Sequence, residues 1–313
     1  MANIYDIAKH ANVSPATVSR AINKSGYVSK ETYAIIMKSV EALDYRKNVH
    51  AVHLSTGSTK VIGVIIPDNT HCYDTFVKGV LHEAINNGYE ILLMPTYFDA
   101  AIELEHLNKL KDKRVDGIIL TSRSNDVEVL QAFNDEGYRL IVCERDLPQG
   151  IASVFTKRYE AYREMFKTFQ RNGLERIAIT VARESQSLKE LMRAFHEFYT
   201  TDNIVYYRSD AHHFDDGQAC ALEMFRSQQV PDAIYTHSDD HAAGIITGAL
   251  SLGYHVGKDF MIVGEDNLTL SQVMEFSTIQ LNLDKVGAIA VQTLLKGESQ
   301  SEGVEAEFIP RNI

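Results

Sequence analysis

Residues 13–23 read Val-Ser-Pro-Ala-Thr-Val-Ser-Arg-Ala-Ile-Asn. On a helix, Ala16, Thr17, Ser19, Arg20 and Asn23 would share the outer side, offering small hydrogen-bonding groups and one guanidinium. Such a set can enter a major groove, touch base edges and bond phosphate oxygens. A second group of polar residues follows short apolar runs further along: Asp68-Asn69-Thr70 with Tyr73, Thr96, Ser122-Arg123, Glu144-Arg145, Ser238-Asp239 and Glu265-Asp266-Asn267. These supply donors, acceptors and an aromatic face, which suits a polyhydroxylated ligand. The same residues could equally serve as strand-end caps. His237 and His241, four apart with Asp239 and Asp240 between them, have the spacing of two metal ligands on one helical face. Ser238 capping a helix whose first turn carries acids explains that stretch better, so no metal site is expected.

Two short helices must position the first group. Ile4, Ile7, Ala8 and Ala11 fall at i, i+3, i+4 and i+7, and Asn12 ends that helix. The next opens with Ser14 as cap and Pro15 at its first position, and buries Val18 and Ile22. A third has Ser29 as cap and Tyr33, Ile36, Met37, Val40 and Leu43 on one side. From Val61 onward short apolar runs alternate with longer amphipathic segments: Val61–Ile66, Ile91–Met94, Gly117–Leu120, Leu140–Cys143, Arg176–Ile179, Ile204–Tyr206, Ala233–Tyr235 and Phe260–Val263. Nearly continuous apolar strands separated by helices, such as Phe76–Asn87 stopped by Gly88, predict parallel sheets covered on both faces. Ligands in such sheets bind beyond the carboxyl ends of the strands, where the polar loops fall.

Charge separates the two parts. Residues 1–60 carry eight Lys/Arg against four acids, a net of +4, whereas the 313-residue chain is −11, which leaves −15 for the remainder. The basic part is suited to a polyanion and the acidic part to solubility away from it. At 45% hydrophobic and 23% charged residues the chain can fill two or three globular units. The N-terminus lacks a basic segment followed by an apolar one, and no apolar run approaches the roughly 20 residues that cross a bilayer, so a cytoplasmic protein is expected. Cys72, Cys143 and Cys220 are odd in number and far apart, which predicts free thiols. No Gly-x-Gly-x-x-Gly, Walker-type loop or Gly-x-Ser-x-Gly is present, and neither an enzyme nor a cofactor is expected.

The run Ile4–Asn23 centred on Thr17-Val18-Ser19-Arg20, then Gly26-Tyr27-Val28-Ser29, Leu43-Asp44-Tyr45-Arg46 and Asn48, resembles the headpiece of the lactose-repressor (LacI) family of bacterial regulators, and the resemblance continues to the C-terminus. Thr70-His71-Cys72-Tyr73-Asp74, Thr121-Ser122-Arg123-Ser124 and His237-Ser238-Asp239-Asp240 resemble the catabolite-control branch of Gram-positive bacteria. The resemblance implies an α/β protein with a small all-α helix-turn-helix headpiece (1–47), a hinge (48–60) and a two-lobed, doubly wound parallel-sheet core of periplasmic-binding-protein type. One lobe would hold 61–158 plus 285–313, the other 159–284. It further implies a homodimer on a pseudo-palindromic operator. Thr17, Ser19 and Arg20 would meet bases, Tyr5, Asn23 and Tyr45 would join the DNA surface, and Pro15 and Ala16 would occupy the specificity-setting positions. Neither of the last two can hydrogen-bond a base, so readout there would be apolar or by shape. Leu54 of the hinge would wedge into the minor groove, although Val52 and Ser55 stand where members often carry arginine.

For the core the family implies an effector cleft, with Asp68, Tyr73, Arg123, Arg145, Ser238, Asp239 and Asp266 as its expected lining. Two departures weaken a plain sugar as the ligand. Ser238 stands in place of the usual asparagine, and Leu191 stands where sugar-binding members have arginine, which removes a bidentate donor. The expected signal is therefore either serine-phosphorylated HPr, a phosphocarrier protein, or a small effector such as an unusual sugar or sugar phosphate. The expected role is a repressor of carbohydrate-utilisation genes. A sugar-specific inducible repressor is the alternative, and a sugar-binding protein without a regulatory role is a more remote one.

Overall fold

The structure is a computed structural model that describes residues 2–23, 25–45, 57–67, 71–144, 147 and 150–312. Leu54 and most of the hinge, together with Asp68 and Arg145, lie outside the described residues. The chain divides into two compact units, Met1–Thr59 and Lys60–Ile313.

The first unit is helical: α1 Ile4–Ala11, α2 Pro15–Asn23 and α3 Lys30–Ala42. Local chemistry sets each end. Asn3 caps α1, its side-chain oxygen accepting from the Tyr5 and Asp6 amides at 2.8 and 3.2 Å, while Asp6 reaches back to the Asn3 amide at 2.9 Å. Asn12 turns the chain out of α1 with φ of 54°, a left-handed conformation that asparagine tolerates better than most residues. Ser14 and Ser29 accept from the amides of Thr17 and Thr32, each at 3.1 Å, and so open α2 and α3. Ile7, Ala8, Ala11, Val18, Ala21 and Ile36 form the core. Ala21 is buried more fully than Ile22, which packs at the margin, and α3 turns Ser39 inward, its hydroxyl 2.9 Å from His10 Nδ1.

The second unit holds two six-stranded sheets. Its elements are β1 Val61–Ile66, α4 His71–Asn86, β2 Glu90–Pro95, α5 Ala100–Asn108, β3 Gly117–Leu120, α6 Val127–Asp135, β4 Leu140–Val142, β5 Ala152–Lys157, α7 Tyr159–Arg171, β6 Ile177–Thr180, α8 Gln186–Phe195, β7 Ile204–Arg208, α9 Phe214–Arg226, β8 Ala233–Thr236, α10 Asp239–Ser251, β9 Met261–Glu265, α11 Thr269–Val273, β10 Ser277–Gln280, α12 Leu283–Lys296, β11 Ser301–Glu305 and β12 Glu307–Ile309. The strand orders are β11-β5-β4-β3-β1-β2 and β12-β10-β9-β8-β6-β7, parallel apart from β12 against β10. Each sheet has apolar clusters on both faces, as parallel sheets require.

The chain crosses between the lobes after β5, after β10 and between β11 and β12. The crossings are tied together: Thr156 donates to the Leu281 carbonyl at 3.1 Å, Asn282 to the Glu305 carbonyl at 2.9 Å, and the Ala306 amide to the Lys157 carbonyl at 2.9 Å. The C-terminal segment departs from the sequence expectation that 285–313 belongs wholly to the first lobe. β12 adds to the second sheet, pairing antiparallel with β10 directly after the buried Ala306. α4 and α12 meet at paired glycines: a Cβ at Gly79 would lie 1.9 Å from the Asp284 carbonyl oxygen, and one at Gly287 would lie 2.4 Å from that of Phe76. Backbones this close leave room only for hydrogen.

Candidate functional site

Two surfaces bring chemistry together. On the headpiece Tyr5, Pro15, Ala16, Arg20 and Asn23 are exposed, with Thr17 and Ser19 half-buried beside them. Their polar atoms are ordered by internal bonds. The Thr17 hydroxyl lies 2.8 Å from Ser14 Oγ, and Asn23 donates to Ser19 Oγ at 3.2 Å, one turn back along α2. A Cβ on Gly26 would come within 3.2 Å of Arg20 Cδ, so the glycine lets the arginine stem lie flat while its head stays in solvent. Tyr45 is half-buried against the headpiece core and packs there with its ring.

The second surface is a cavity of about 550 Å³ between the lobes of the core. Tyr73, Phe98, Arg158, Arg183, Ser238 and Asp266 are among its walls, and so are His212, His213 and His237. Ser238 also caps α10 through the His241 amide at 3.2 Å. Asp266 has φ of 99°, a strained backbone that points to local constraint. Burial, then the charges of Glu265 and Asp239, push its carboxyl well above the usual range. In the neutral state it can donate to a ligand as well as accept from one.

Part of the cavity wall is a polar cluster. Glu265 Oε1 accepts from the hydroxyls of Tyr162 and Tyr235, each at 2.7 Å, and the two rings meet edge to face with centroids 5.7 Å apart. Arg158 Nε is 3.7 Å from Glu265 Oε2, an ion-pair distance too long for a hydrogen bond. Its Nε is buried without a hydrogen-bond partner among the described residues. Across the cleft, Arg183 Nη2 donates to Ser122 Oγ at 2.9 Å and the guanidinium lies 4.8 Å from the Phe98 ring centroid. Arg183 follows β6 of the second lobe, and Ser122 and Phe98 follow strands of the first, so this arginine spans the opening.

Several expected residues are occupied elsewhere. Asp239 is fully buried outside the cavity wall, accepting from Thr278 Oγ1 at 2.6 Å and the Leu268 amide at 2.7 Å. It fastens the β9–α11 loop, a task fixed by its place at the start of α10. Arg123 is also absent from the wall: it donates to Glu144 Oε2 and the Asn125 carbonyl, each at 3.2 Å. Glu103, fully buried, accepts from the Ser124 amide at 2.6 Å and holds that loop in place. Leu191 belongs to the apolar core of the second lobe and cannot reach the cleft. Arg158 and Arg183, which sequence reasoning missed, are the guanidiniums that line the cavity instead. Arg183 lies three residues past a strand, the position used to find the other loops; Arg158 lay hidden behind a strand too polar to recognise.

His237 and His241 lie with ring centroids 5.4 Å apart. His241 Nδ1 pairs with Thr236 Oγ1 at 2.6 Å, and burial depresses the two pKa values to about 4 and about 3. Among the described residues no group of three or more His, Cys, Asp or Glu side chains could hold a metal ion. Burial, then Glu144, raises the Cys143 thiol to about 12, which makes this cleft residue a poor nucleophile.

Comparison with known proteins agrees with this architecture. Residues 3–48 match the family described as bacterial regulatory proteins, lacI family, and residues 59–308 match the periplasmic binding proteins and sugar binding domain of the LacI family. The chain belongs to the LacI family. Like the members it matches, it is a DNA-binding transcriptional regulator. It is 34% identical to catabolite control protein B of Bacillus subtilis (strain 168), over 98% of this chain and 99% of that protein. It is 29% identical to the ribose operon repressor of Halalkalibacterium halodurans, over 95% and 90% of the two chains. The lac repressor dimer bound to operator and the anti-inducer ONPF superposes with a TM-score of 0.88 at 21% identity, covering 99% of this LacI-family chain and 98% of that one. None of the helices described is long and apolar enough to cross a membrane.

Proposed function

We propose that this protein is a repressor of carbohydrate-utilisation genes that binds a pseudo-palindromic operator as a homodimer and is controlled by a small effector in the core cleft. The observation that carries the reading is the conjunction of a basic headpiece, whose α2 exposes Arg20 and Asn23, with a cavity of mixed apolar and polar lining at the crossings between two lobes. A ligand gripping both lobes stabilises one lobe arrangement over another, and that differential binding is what allostery requires. The hinge with Leu54 would carry the change to the operator, with Thr17, Ser19 and Arg20 at the bases and Tyr5 and Asn23 beside them. The names of the ribose operon repressor and of the catabolite control proteins support a role in sugar metabolism.

Dimerisation is supported by the edge of the first sheet. β2 is an edge strand whose Leu92 and Leu93 are exposed, with Leu81 and Ile85 of α4 and Leu104 of α5 also uncovered. An open strand edge with exposed leucines is a surface that proteins ordinarily cover. Control by serine-phosphorylated HPr gained its weight from the loss of arginine at Leu191. Arg158 and Arg183 restore cationic donors to the cleft and favour the small ligand. The test is operator retardation of the full chain with sugars, sugar phosphates or phosphorylated HPr added singly. A change in operator affinity with a small molecule alone supports this reading, and a change only with phosphorylated HPr overturns it.

A further inference from the structure

We propose that Arg183 is a latch by which the protein closes its cleft with its own side chains, so that the lobes separate only when this contact breaks. The inference goes beyond effector control and does not depend on what the cleft binds. Arg183 follows β6 in the second lobe, yet both of its partners belong to the first: Nη2 donates to Ser122 Oγ at 2.9 Å, and the guanidinium lies 4.8 Å from the ring centroid of Phe98. The hydrogen bond fixes distance and direction, and the cation–π contact holds the flat face of the group. Topology gives the contact leverage. The crossings between lobes use β5 and β11 in the first sheet and β10 and β12 in the second, and these strands lie together at one end of each strand order. β2, which leads to Phe98, is the edge strand at the other end of the first sheet, and β6 lies next to the far edge of the second. The crossings thus serve as the hinge, and Arg183 holds the opposite end, where a small rotation produces the largest separation.

Both halves of the latch are firmly anchored. Ser122 is buried, and its loop is fastened by two carboxylates: Glu103 accepts from the amides of Ser124 and Asn125 at 2.6 and 3.1 Å, and Glu144 accepts from the Arg123 amide at 2.9 Å. On the other side Tyr207 donates to Glu184 at 3.0 Å, and Ser185 caps α8 through the Leu188 amide at 3.2 Å, which fixes the residues after Arg183. Phe98 is held at a cost. It and Tyr97 have φ of 59° and 53°, a left-handed conformation that is strained for aromatic residues, and the Tyr97 amide donates to the Pro67 carbonyl. Strain of this kind persists where the surroundings over-determine it, and here it sets the ring against the guanidinium. Loops anchored in this way cannot follow one another apart, so lobe separation breaks the contact rather than stretching it.

Cys143 reports the state of the cleft. It lines the cavity half-buried, with its thiol raised to about 12, and reacts slowly with alkylating reagents while the lobes stay together. Cys220 is buried in an apolar cluster of the second lobe and reports unfolding. The experiment is N-ethylmaleimide labelling of the full chain without added ligand or DNA, scored thiol by thiol through peptide mass spectrometry. Arg183→Gln is expected to label Cys143 about fivefold or more faster than wild type, the scale of one hydrogen bond and one cation–π contact at a partly exposed site, with Cys220 unchanged. Ser122→Ala removes only the hydroxyl; it should raise the rate by a smaller factor and add nothing once Arg183 is replaced, because both act through one contact. Should Arg183→Gln unfold the chain, Cys220 would label in step with Cys143, and Ser122→Ala and Phe98→Leu then decide. Cys143 labelling at the wild-type rate in the folded variants, or a Ser122→Ala effect that persists in full beside Arg183→Gln, would overturn the latch. Operator binding does not enter the measurement, so the latch and effector control stand or fall separately.

Discussion

Acidification from pH 7 to pH 5 should destabilise the core through its buried histidines, and His241 gives the sharpest form of that expectation. The ring is fully buried with Nδ1 on Thr236, and its Nε2 has no hydrogen-bond partner among the described residues. Burial, then the neighbouring His237, lowers its pKa from 6.5 to about 3. A histidine held neutral in the fold contributes no penalty above its unfolded pKa, and stability is lost as pH falls from 6.5 toward 3 while the unfolded chain gains the proton. At pH 5 the cost is about 2 kcal/mol, against about 0.2 kcal/mol at pH 7. Asp239 works in the opposite direction. Burial raises its carboxyl to about 6, so acidification over the same interval returns about 1 kcal/mol of stability. The informative quantity is therefore the difference between wild type and His241→Gln, from which the Asp239 contribution cancels. Urea unfolding followed by circular dichroism at pH 7, 6 and 5 supplies it. The variant should gain about 2 kcal/mol relative to wild type on going from pH 7 to pH 5, whatever its stability at pH 7. Parallel pH profiles for the two proteins would show that His241 titrates alike in both states and would refute the reasoning.

Three further perturbations address other parts of the molecule. Arg20→Ala should weaken operator binding by about 1–3 kcal/mol and leave the thermal midpoint unchanged; equal operator affinities in retardation assays would remove Arg20 from the reading surface. Gly79→Ala should destabilise the core by about 1–3 kcal/mol or more, because its Cβ would meet a backbone oxygen of α12 rather than a side chain that can turn away; an unchanged urea midpoint would contradict the close packing of α4 and α12. Leu93→Glu should shift the protein from dimer to monomer in sedimentation, and a dimer of unchanged affinity would place the interface elsewhere.

Much of this architecture was legible because apolar runs and caps are local signals. Ser14-Pro15, Ser29 and Asn12 mark helix ends by their own hydrogen bonds and backbone preferences, and Val61–Ile66 or Ala233–Tyr235 announce buried strands by composition. β5 and β10 were not legible: Ser153, Thr156, Ser277 and Thr278 dilute their apolar character, and these hydroxyls are tolerated in the interior because partners such as Leu281, Ser301 and Arg311 lie far off in sequence. The cleft was legible only in part for the same reason. Ser238 and Asp266 follow recognisable strands, whereas the roles of Asp239 and Arg123 depend on what lies across the fold, and Thr278 and Glu144 claim them. Arg158 acquires its meaning from Glu265, 107 positions away, a distance at which no periodicity operates.

The central claim is that α2 of the headpiece reads a specific operator in the service of the cleft. Nuclease footprinting of the full chain on DNA upstream of its own coding sequence and of neighbouring sugar-utilisation genes tests it most directly, on wild type and Arg20→Ala together. Wild type should protect one bounded pseudo-palindrome, with half-sites about one helical turn or more apart, and Arg20→Ala should lose that protection at the same concentration. Featureless coverage that is equally strong on unrelated DNA, or a footprint indifferent to Arg20, would contradict the account.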